Sequence, residues 1–199
     1  MLLKGVITSN RQNGGCVHLK PAPLDFSLQT DEWIETALLK IMENKHYTKI
    51  TIIEIAATAG IVRQTLYLHF TDKDAILLTI LDKLMNEVWE QFDDIQSNSE
   101  EVFATLFRNW KQHIPSSLLF NITYKDRKIR QLIFKSITDY VDKQFSGSQS
   151  SIHFYTRRAF CSTIHNLLVE WTLQDFYHTP EEMGALVCKL TASMRECME

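Results

Sequence analysis

The stretch Thr51 to Lys73, TIIEIAATAGIVRQTLYLHFTDK, constrains the fold of this chain more than any other. Thr51 and Glu54 have capping-box spacing: the hydroxyl can accept the amide three residues on while the carboxylate reaches back. Ile52, Ile55, Ala56 and Ala59 follow at helical spacing, with alanines small enough to admit a close neighbour. Gly60 can adopt the positive φ that a tight interhelical turn requires. Beyond it, Arg63, Gln64, Thr65, Tyr67 and His69 supply donors on a second, short helix, while Leu66 and Phe70 face elsewhere. Thr71 and Asp74 repeat the capping-box spacing, so a third helix is expected at once. Two helices joined by a short glycine turn, the second rich in donors, form the helix-turn-helix pattern that enters a DNA major groove.

The remainder reads as helix throughout. Six glycines and four prolines in 199 residues leave long periodic runs, which predict an all-α chain of 45% apolar and 23% charged residues. The net charge of −3 does not suggest a nucleic-acid partner, but its distribution is uneven. Residues 1–73 sum to +1 and the rest to −4, and Lys45 to Lys73 holds four basic and two acidic residues with His46 and His69. Cys16, Cys161, Cys188 and Cys197 show no CxxC and no disulfide framework, so free thiols in a reducing cytoplasm are expected. No apolar run approaches the roughly 20 residues that span a bilayer, and the N-terminus lacks a signal-peptide pattern.

Residues 1–28 differ in texture, with Asn13-Gly14-Gly15, Pro21, Pro23 and the scattered bases Lys4, Arg11 and Lys20. They are read as an N-terminal extension, flexible or serving as a basic arm. Residues 29–73 form the expected DNA-binding unit. Its first helix would be capped by Thr30, with Asp31 and Glu32 in the first turn and Trp33, Ala37, Leu38, Ile41 and Met42 on one stripe. Residues 74–199 form a helical bundle. It opens with a long amphipathic helix from Asp72 through Phe92 and continues with a capping-box start at Ser97 and Glu100. It closes with a clear start at Thr179-Pro180-Glu181-Glu182. The last two helices, Ile152 to Phe176 and the one after Pro180, carry more apolar surface than one small bundle buries. That excess predicts subunit association.

Thr51, Ile55-Ala56, Ala59-Gly60-Ile61, Arg63, Thr65-Leu66-Tyr67, His69-Phe70, Lys73 and Leu77 stand in an order that resembles the DNA-binding domain of the TetR family of transcriptional regulators. The resemblance covers residues 30 to 77. It implies a three-helix helix-turn-helix domain followed by a helical effector-binding and dimerisation domain. By position, it implies that Arg63, Gln64 and Thr65 face base edges, where Arg pairs guanine and Gln pairs adenine. Tyr67, His69 and Lys73 would bond phosphates, and Thr48, Lys49 and Thr51 would meet the backbone beside the second helix. Val62 stands where a hydroxyl residue commonly caps the recognition helix, and would touch a thymine methyl instead. Leu68 stands where a polar residue is frequent and removes one phosphate contact.

The family places a ligand cavity among the C-terminal helices and dimerises through the last two long ones. The resemblance therefore nominates Trp89, Phe103, Phe107, Trp110, Phe134, Tyr140 and Trp171 for an effector pocket of mainly apolar character. The expected partners are a roughly palindromic double-stranded DNA operator, a small-molecule effector and a second copy of the chain, without a membrane and without a cofactor. Two other readings remain open. Cys161 and His165, at i and i+4, could hold a soft metal with His153 and Cys188, giving a metal or redox sensor. A helical adaptor that dimerises without DNA is the third class. Enzyme chemistry is not expected, since the chain has no Gly-rich phosphate loop, GxSxG or HExxH. The sequence thus predicts a cytoplasmic regulator, a repressor released from its operator by a small molecule.

Overall fold

The computed structural model of the protein describes residues 26–91, 100–144 and 151–198, and every regular element among them is helical. The basic arm residues Lys4, Arg11 and Lys20, the Ser97 cap and the side chain of Trp89 lie outside the described residues. Among the described residues nine α-helices follow in order: α1 Phe26–Met42, α2 Ile52–Thr58, α3 Arg63–His69, α4 Lys73–Gln91, α5 Glu100–His113, α6 Ser116–Thr123, α7 Arg127–Gln144, α8 Ser151–Leu173 and α9 Pro180–Glu196, with a 3-10 turn at Tyr47–Lys49 between α1 and α2.

Helix α1 starts at Phe26, so Thr30 lies inside it and does not cap it, and Asp31 and Glu32 are not in its first turn. Its buried stripe is Ile34, Ala37, Leu38 and Met42, whereas Trp33 is half exposed. Ala37, Leu38 and Met42 are as expected, but Ile34 takes the place of Trp33 and Ile41 is half-buried. Glu35 is also buried, where both its oxygens accept from Lys83 Nζ on α4 at 2.8 Å. Asp31, in the helix interior, meets His69 instead.

Helix α2 ends as its sequence predicts. Gly60 takes φ +72°, and the amides of Gly60 and Ile61 close onto the carbonyls of Ala57 and Ala56 at 3.2 and 3.0 Å. This double closure satisfies carbonyls that a helix end leaves unpaired. The start of α4 departs from expectation. Asp72, not Thr71, caps it, accepting the Ala75 amide at 2.8 Å. The Thr71/Asp74 pair is therefore not a capping box, and Asp74 is left for long-range contacts.

The long helix α4 links the two halves. It bonds to α1 through Lys83 and Glu35, and to α7 through Ser136, whose hydroxyl donates to Asp82 at 2.7 Å. Leu77, Ile80, Leu81 and Met85 bury between them. In the C-terminal half, α5 and α9 approach most closely. A Cβ added at Gly184 would lie 2.5 Å from the Ala104 amide nitrogen and 2.8 Å from both Ala104 Cα and the Glu100 carbonyl oxygen. Only glycine permits that backbone separation. The α9 start carries its full capping box between Thr179 and Glu182, with Pro180 in the first turn.

Candidate nucleic-acid interface

Helices α2 and α3 are presented by reciprocal caps and two buried anchors. Thr51 Oγ1 accepts the Glu54 amide at 3.3 Å, and Glu54 Oε2 accepts the Thr51 amide at 2.9 Å. The other Glu54 oxygen pairs with Lys45 Nζ at 2.6 Å. The Lys45 hydrogen bond and the Thr51 backbone bond hold the exposed Glu54 carboxyl well down, at about 2. Leu66 is fully buried and Phe70 nearly so, which fixes the inner side of α3. Val62 occupies the N-cap position without a side-chain bond, its backbone extended at φ −80° and ψ 148°.

The outer side of α3 is open. Arg63 and Gln64 are exposed, Tyr67 is 43% exposed, and Val62 and Leu68 reach 68% and 80%. Arg63 donates to the Tyr67 hydroxyl at 3.0 Å and lies over its ring, so the two form one projecting unit. Thr65 is half buried. Leu68 does not pack against the hydrophobic core.

Two expected phosphate ligands are engaged inside the protein. His69 Nδ1 lies 2.6 Å from Asp31 Oδ1, fastening α3 to α1. Lys73 Nζ donates to the carbonyls of Tyr47 and Ile50 at 2.9 and 2.8 Å, with a longer 3.4 Å contact to Thr48, and rests over the Tyr47 ring. Burial pulls the Lys73 ammonium below its ordinary pKa, an effect that Asp74 and Asp126 oppose. Thr48, Lys49 and Thr51 are exposed on the same segment.

That segment is a junction. The Tyr47 amide donates to Asn121 Oδ1 on α6 at 2.8 Å, and Asn121 Nδ2 donates to the Met42 and Ser117 carbonyls at 3.1 and 2.9 Å. Tyr47 itself is fully buried, and its hydroxyl donates to Asp74 at 2.6 Å. Burial, then that bond to Asp74, drives the phenol pKa far upward. Burial would also raise Asp74, but its bonds from Lys128, at 2.7 Å, and Tyr47 outweigh burial and hold it low. Asp126, at the head of α7, contacts the Thr48 amide and hydroxyl at 3.4 Å each. Sequence reasoning passes over Asn121, Asp126 and Lys128, and reads Asp74 only as part of a cap. The available signal is Asn121 itself, a single amide inside the apolar run Leu118 to Ile122.

The nominated pocket residues divide between two places. Phe107 and Trp171 stack edge to face at 5.2 Å. Trp110 Nε1 donates to Thr172 at 2.9 Å, and Trp171 Nε1 donates to the His178 carbonyl at 3.0 Å, a set that reads as packed α5–α8 core. Phe103 meets Phe160 and lies under the Arg195 guanidinium. Phe134 and Tyr140 are half-buried on α7, with Phe134 edge-on to His165. A separate cleft of about 320 Å³ opens where α4 passes the α5–α6 turn, lined by Ile80, Lys83, Leu84, His113 and Pro115.

Cys161 and His165 face α7, not a shared ligand position. Cys161 is fully buried, and burial pushes its thiol up to about 11 despite a bond to Thr138. His165 Nδ1 meets Asn166, Cys188 lies against Arg195, and no group of three metal-ligating residues occurs among the described residues.

The sequence model for bacterial regulatory proteins of the tetR family matches residues 36–80, from α1 into the first turns of α4. Over 55 residues the chain is 34% identical to the HTH-type transcriptional regulator EthR of Mycolicibacterium smegmatis, covering 28% of this chain and 25% of that protein. The matched stretch thus spans about a quarter of that curated relative's length. Among solved structures, a TetR transcriptional regulator from Streptococcus agalactiae superposes with a TM-score of 0.58 at 17% identity, covering 83% of this chain and 95% of that one. Thermus thermophilus FadR, a TetR-family repressor in complex with lauroyl-CoA, does so with a TM-score of 0.54 at 16% identity, covering 81% and 93%. At these identities the superpositions establish the shared all-helical fold.

Proposed function

We propose that this chain, whose residues 36–80 match the sequence model for bacterial regulatory proteins of the tetR family, is a DNA-binding transcriptional regulator of that family. The observation that carries the reading is the open side of α3. Arg63, Gln64, Tyr67, Val62 and Leu68 project from a helix whose other side is locked by Leu66 and Phe70. Arg63 and Gln64 suit guanine and adenine edges, and the exposed Val62 suits a thymine methyl. Thr48, Lys49 and Thr51 serve the backbone. His69 and Lys73 act indirectly, by holding α3 and the Tyr47–Lys49 turn in place.

The chain acts as a homodimer on a roughly palindromic site. Supporting this, Ile152 and Tyr155 on α8 and Leu186 and Leu190 on α9 form outward apolar stripes. Two recognition helices then meet successive major grooves about 34–36 Å apart. A small-molecule effector held among α4 to α8 shifts the population toward a geometry that breaks this match. Repression follows from occupying a promoter, and the DNA partner places the protein in the cytoplasm. The division into an N-terminal reading unit and a helical C-terminal unit is part of the same reading.

The test is a gel shift on the promoter region of the chain's own gene. Arg63→Ala or Tyr67→Phe should weaken the complex severalfold, and binding indifferent to both would remove the proposal. A thermal-shift screen of small molecules, followed by gel shifts with each hit, tests induction separately.

A further inference from the structure

The DNA-facing turn of the N-terminal unit is not alone at its edge of the molecule. Helix α6 ends with Lys125 in the left-handed region, φ +58°, and the amides of Lys125 and Asp126 close back onto the carbonyls of Ile122 and Asn121 at 2.9 and 3.0 Å. This sharp stop delivers Asp126 to Thr48, which it contacts twice at 3.4 Å, and lets Asp126 cap α7 through the Lys128 and Ile129 amides. The bond pins two neighbourhoods together. Lys125 and Arg127 flank Asp126 in the chain, and Lys49 follows Thr48.

All three of these cations are exposed, and none has a side-chain partner among the described residues. Four carboxylates of this junction, by contrast, are engaged. Asp126 is nearly buried on Thr48 and the α7 amides, Asp74 holds Tyr47 and Lys128, Glu54 holds Lys45 and Thr51, and Asp72 caps α4. The patch around Thr48 is therefore basic in a chain whose net charge is −3. Uncompensated exposed cations beside a DNA-facing turn attract the nearest polyanion.

We infer that Lys125 and Arg127, on the α6–α7 connection of the C-terminal unit, extend the nucleic-acid interface by contacting backbone phosphates of the same operator that α3 reads. This inference rests on the DNA-binding reading above. Phosphate contacts set register and affinity without sequence information, so the patch strengthens binding to any duplex alike. It also gives the C-terminal unit its own grip on the DNA.

The experiment is the salt dependence of binding, by fluorescence anisotropy, to a fragment of the chain's own promoter region and to an unrelated duplex of equal length. The parent is compared with K125G/R127Q, where glycine suits the left-handed φ. Also compared are K125R/R127K, which keeps both charges, and K143Q, at the far end of α7 about 24 Å away. The double charge removal should weaken binding to both duplexes to the same degree. It should flatten the log–log salt slope by about 0.9 for each phosphate no longer neutralised, up to about 3.6 for a dimer. K125R/R127K and K143Q should keep the parent slope. If K125G/R127Q melts lower than the parent, R127Q alone carries the test with half the flattening. A slope equal to the parent's, with binding still dependent on Arg63, overturns this inference and leaves the regulator reading intact. A parent that binds neither duplex at low salt overturns both.

Discussion

Asn121 Oδ1 on α6 accepts the Tyr47 amide at 2.8 Å, joining residues 74 positions apart in sequence. The same side-chain amide donates to Met42 and Ser117, and Asn121 is fully buried, so its hydrogen-bonding capacity is used across the junction. Asn121→Ala should strand the Tyr47 N–H and the Met42 carbonyl, costing about 2–4 kcal/mol. Asn121→Asp, which cannot donate and brings a buried charge, should cost at least as much. Thermal or urea unfolding checks both, and an unchanged midpoint for either would refute the assigned role. In the regulator reading, any Asn121 variant that still folds should bind DNA but respond weakly to effector.

Lys73 and Lys49 lie on one surface but should behave oppositely. Lys73→Met removes the ammonium that holds the Tyr47 and Ile50 carbonyls. It should lower stability by about 1–2 kcal/mol, a modest figure because solvent reaches the group. Its salt slope for DNA should stay at the parent value. Lys49→Gln should leave the melting temperature alone and reduce the salt slope by about 0.9 for each phosphate that Lys49 neutralises. A reversed pattern would return Lys73 to the phosphates.

Stability should depend on pH at the α2 cap. The Glu54 carboxyl sits at about 2 in the folded chain against an ordinary 4.5, so the unfolded chain binds its proton first. The cap's contribution is complete above about 4.5 and disappears as pH falls toward about 2. Glu54→Gln keeps the hydrogen-bonding shape but loses the Lys45 ion pair. Its stability deficit against the parent should be full at neutral pH and shrink through that acid window. Paired melting curves at stepped pH would show this, and a deficit independent of pH would exclude it.

Gly184→Ala should destabilise the C-terminal unit even though alanine favours helices. The added carbon would meet Ala104 and Glu100 backbone atoms at 2.5–2.8 Å, and backbone cannot swing aside as a side chain can. Overpacking of this kind costs about 1–3 kcal/mol. For a chain of this size that lowers the melting point by roughly 2–4 °C per kcal/mol. An unchanged or raised melting point would mean that α9 slides past α5 easily.

Cys161 should resist thiol reagents in the native protein. It is fully buried and its thiol is pushed up to about 11, so little thiolate exists near neutral pH. Exposed Cys197 should react readily. Mass mapping after brief alkylation tests the contrast. A Cys161→Ser variant should keep any response to metals or oxidants, and loss of such a response would revive the sensor reading.

These contrasts follow how far apart the cooperating residues stand in the chain. The caps of Thr51 and Thr179, the Gly60 turn and the inward Leu66 and Phe70 are legible in the sequence because each rests on partners within about one helical turn. Such contacts need only a helix, and spacing reveals them. The α4 start departs from its spacing for a related reason. Asp72 and Thr71 are adjacent cap candidates, and the choice between them turns on Asp74, whose carboxylate Tyr47 and Lys128 claim.

By itself, then, the sequence determined the all-helical class, the helix-turn-helix and the exposed outer residues of α3. Only the tertiary structure decided which polar groups remain available to a partner. Lys73 and His69 look like phosphate ligands until Tyr47, Ile50 and Asp31 are brought against them. Lys125 and Arg127 look like an ordinary loop until Asp126 fastens them beside Thr48. The reason is physical. A charge paired or hydrogen-bonded inside the fold has little left to offer, and that pairing depends on residues tens of positions away.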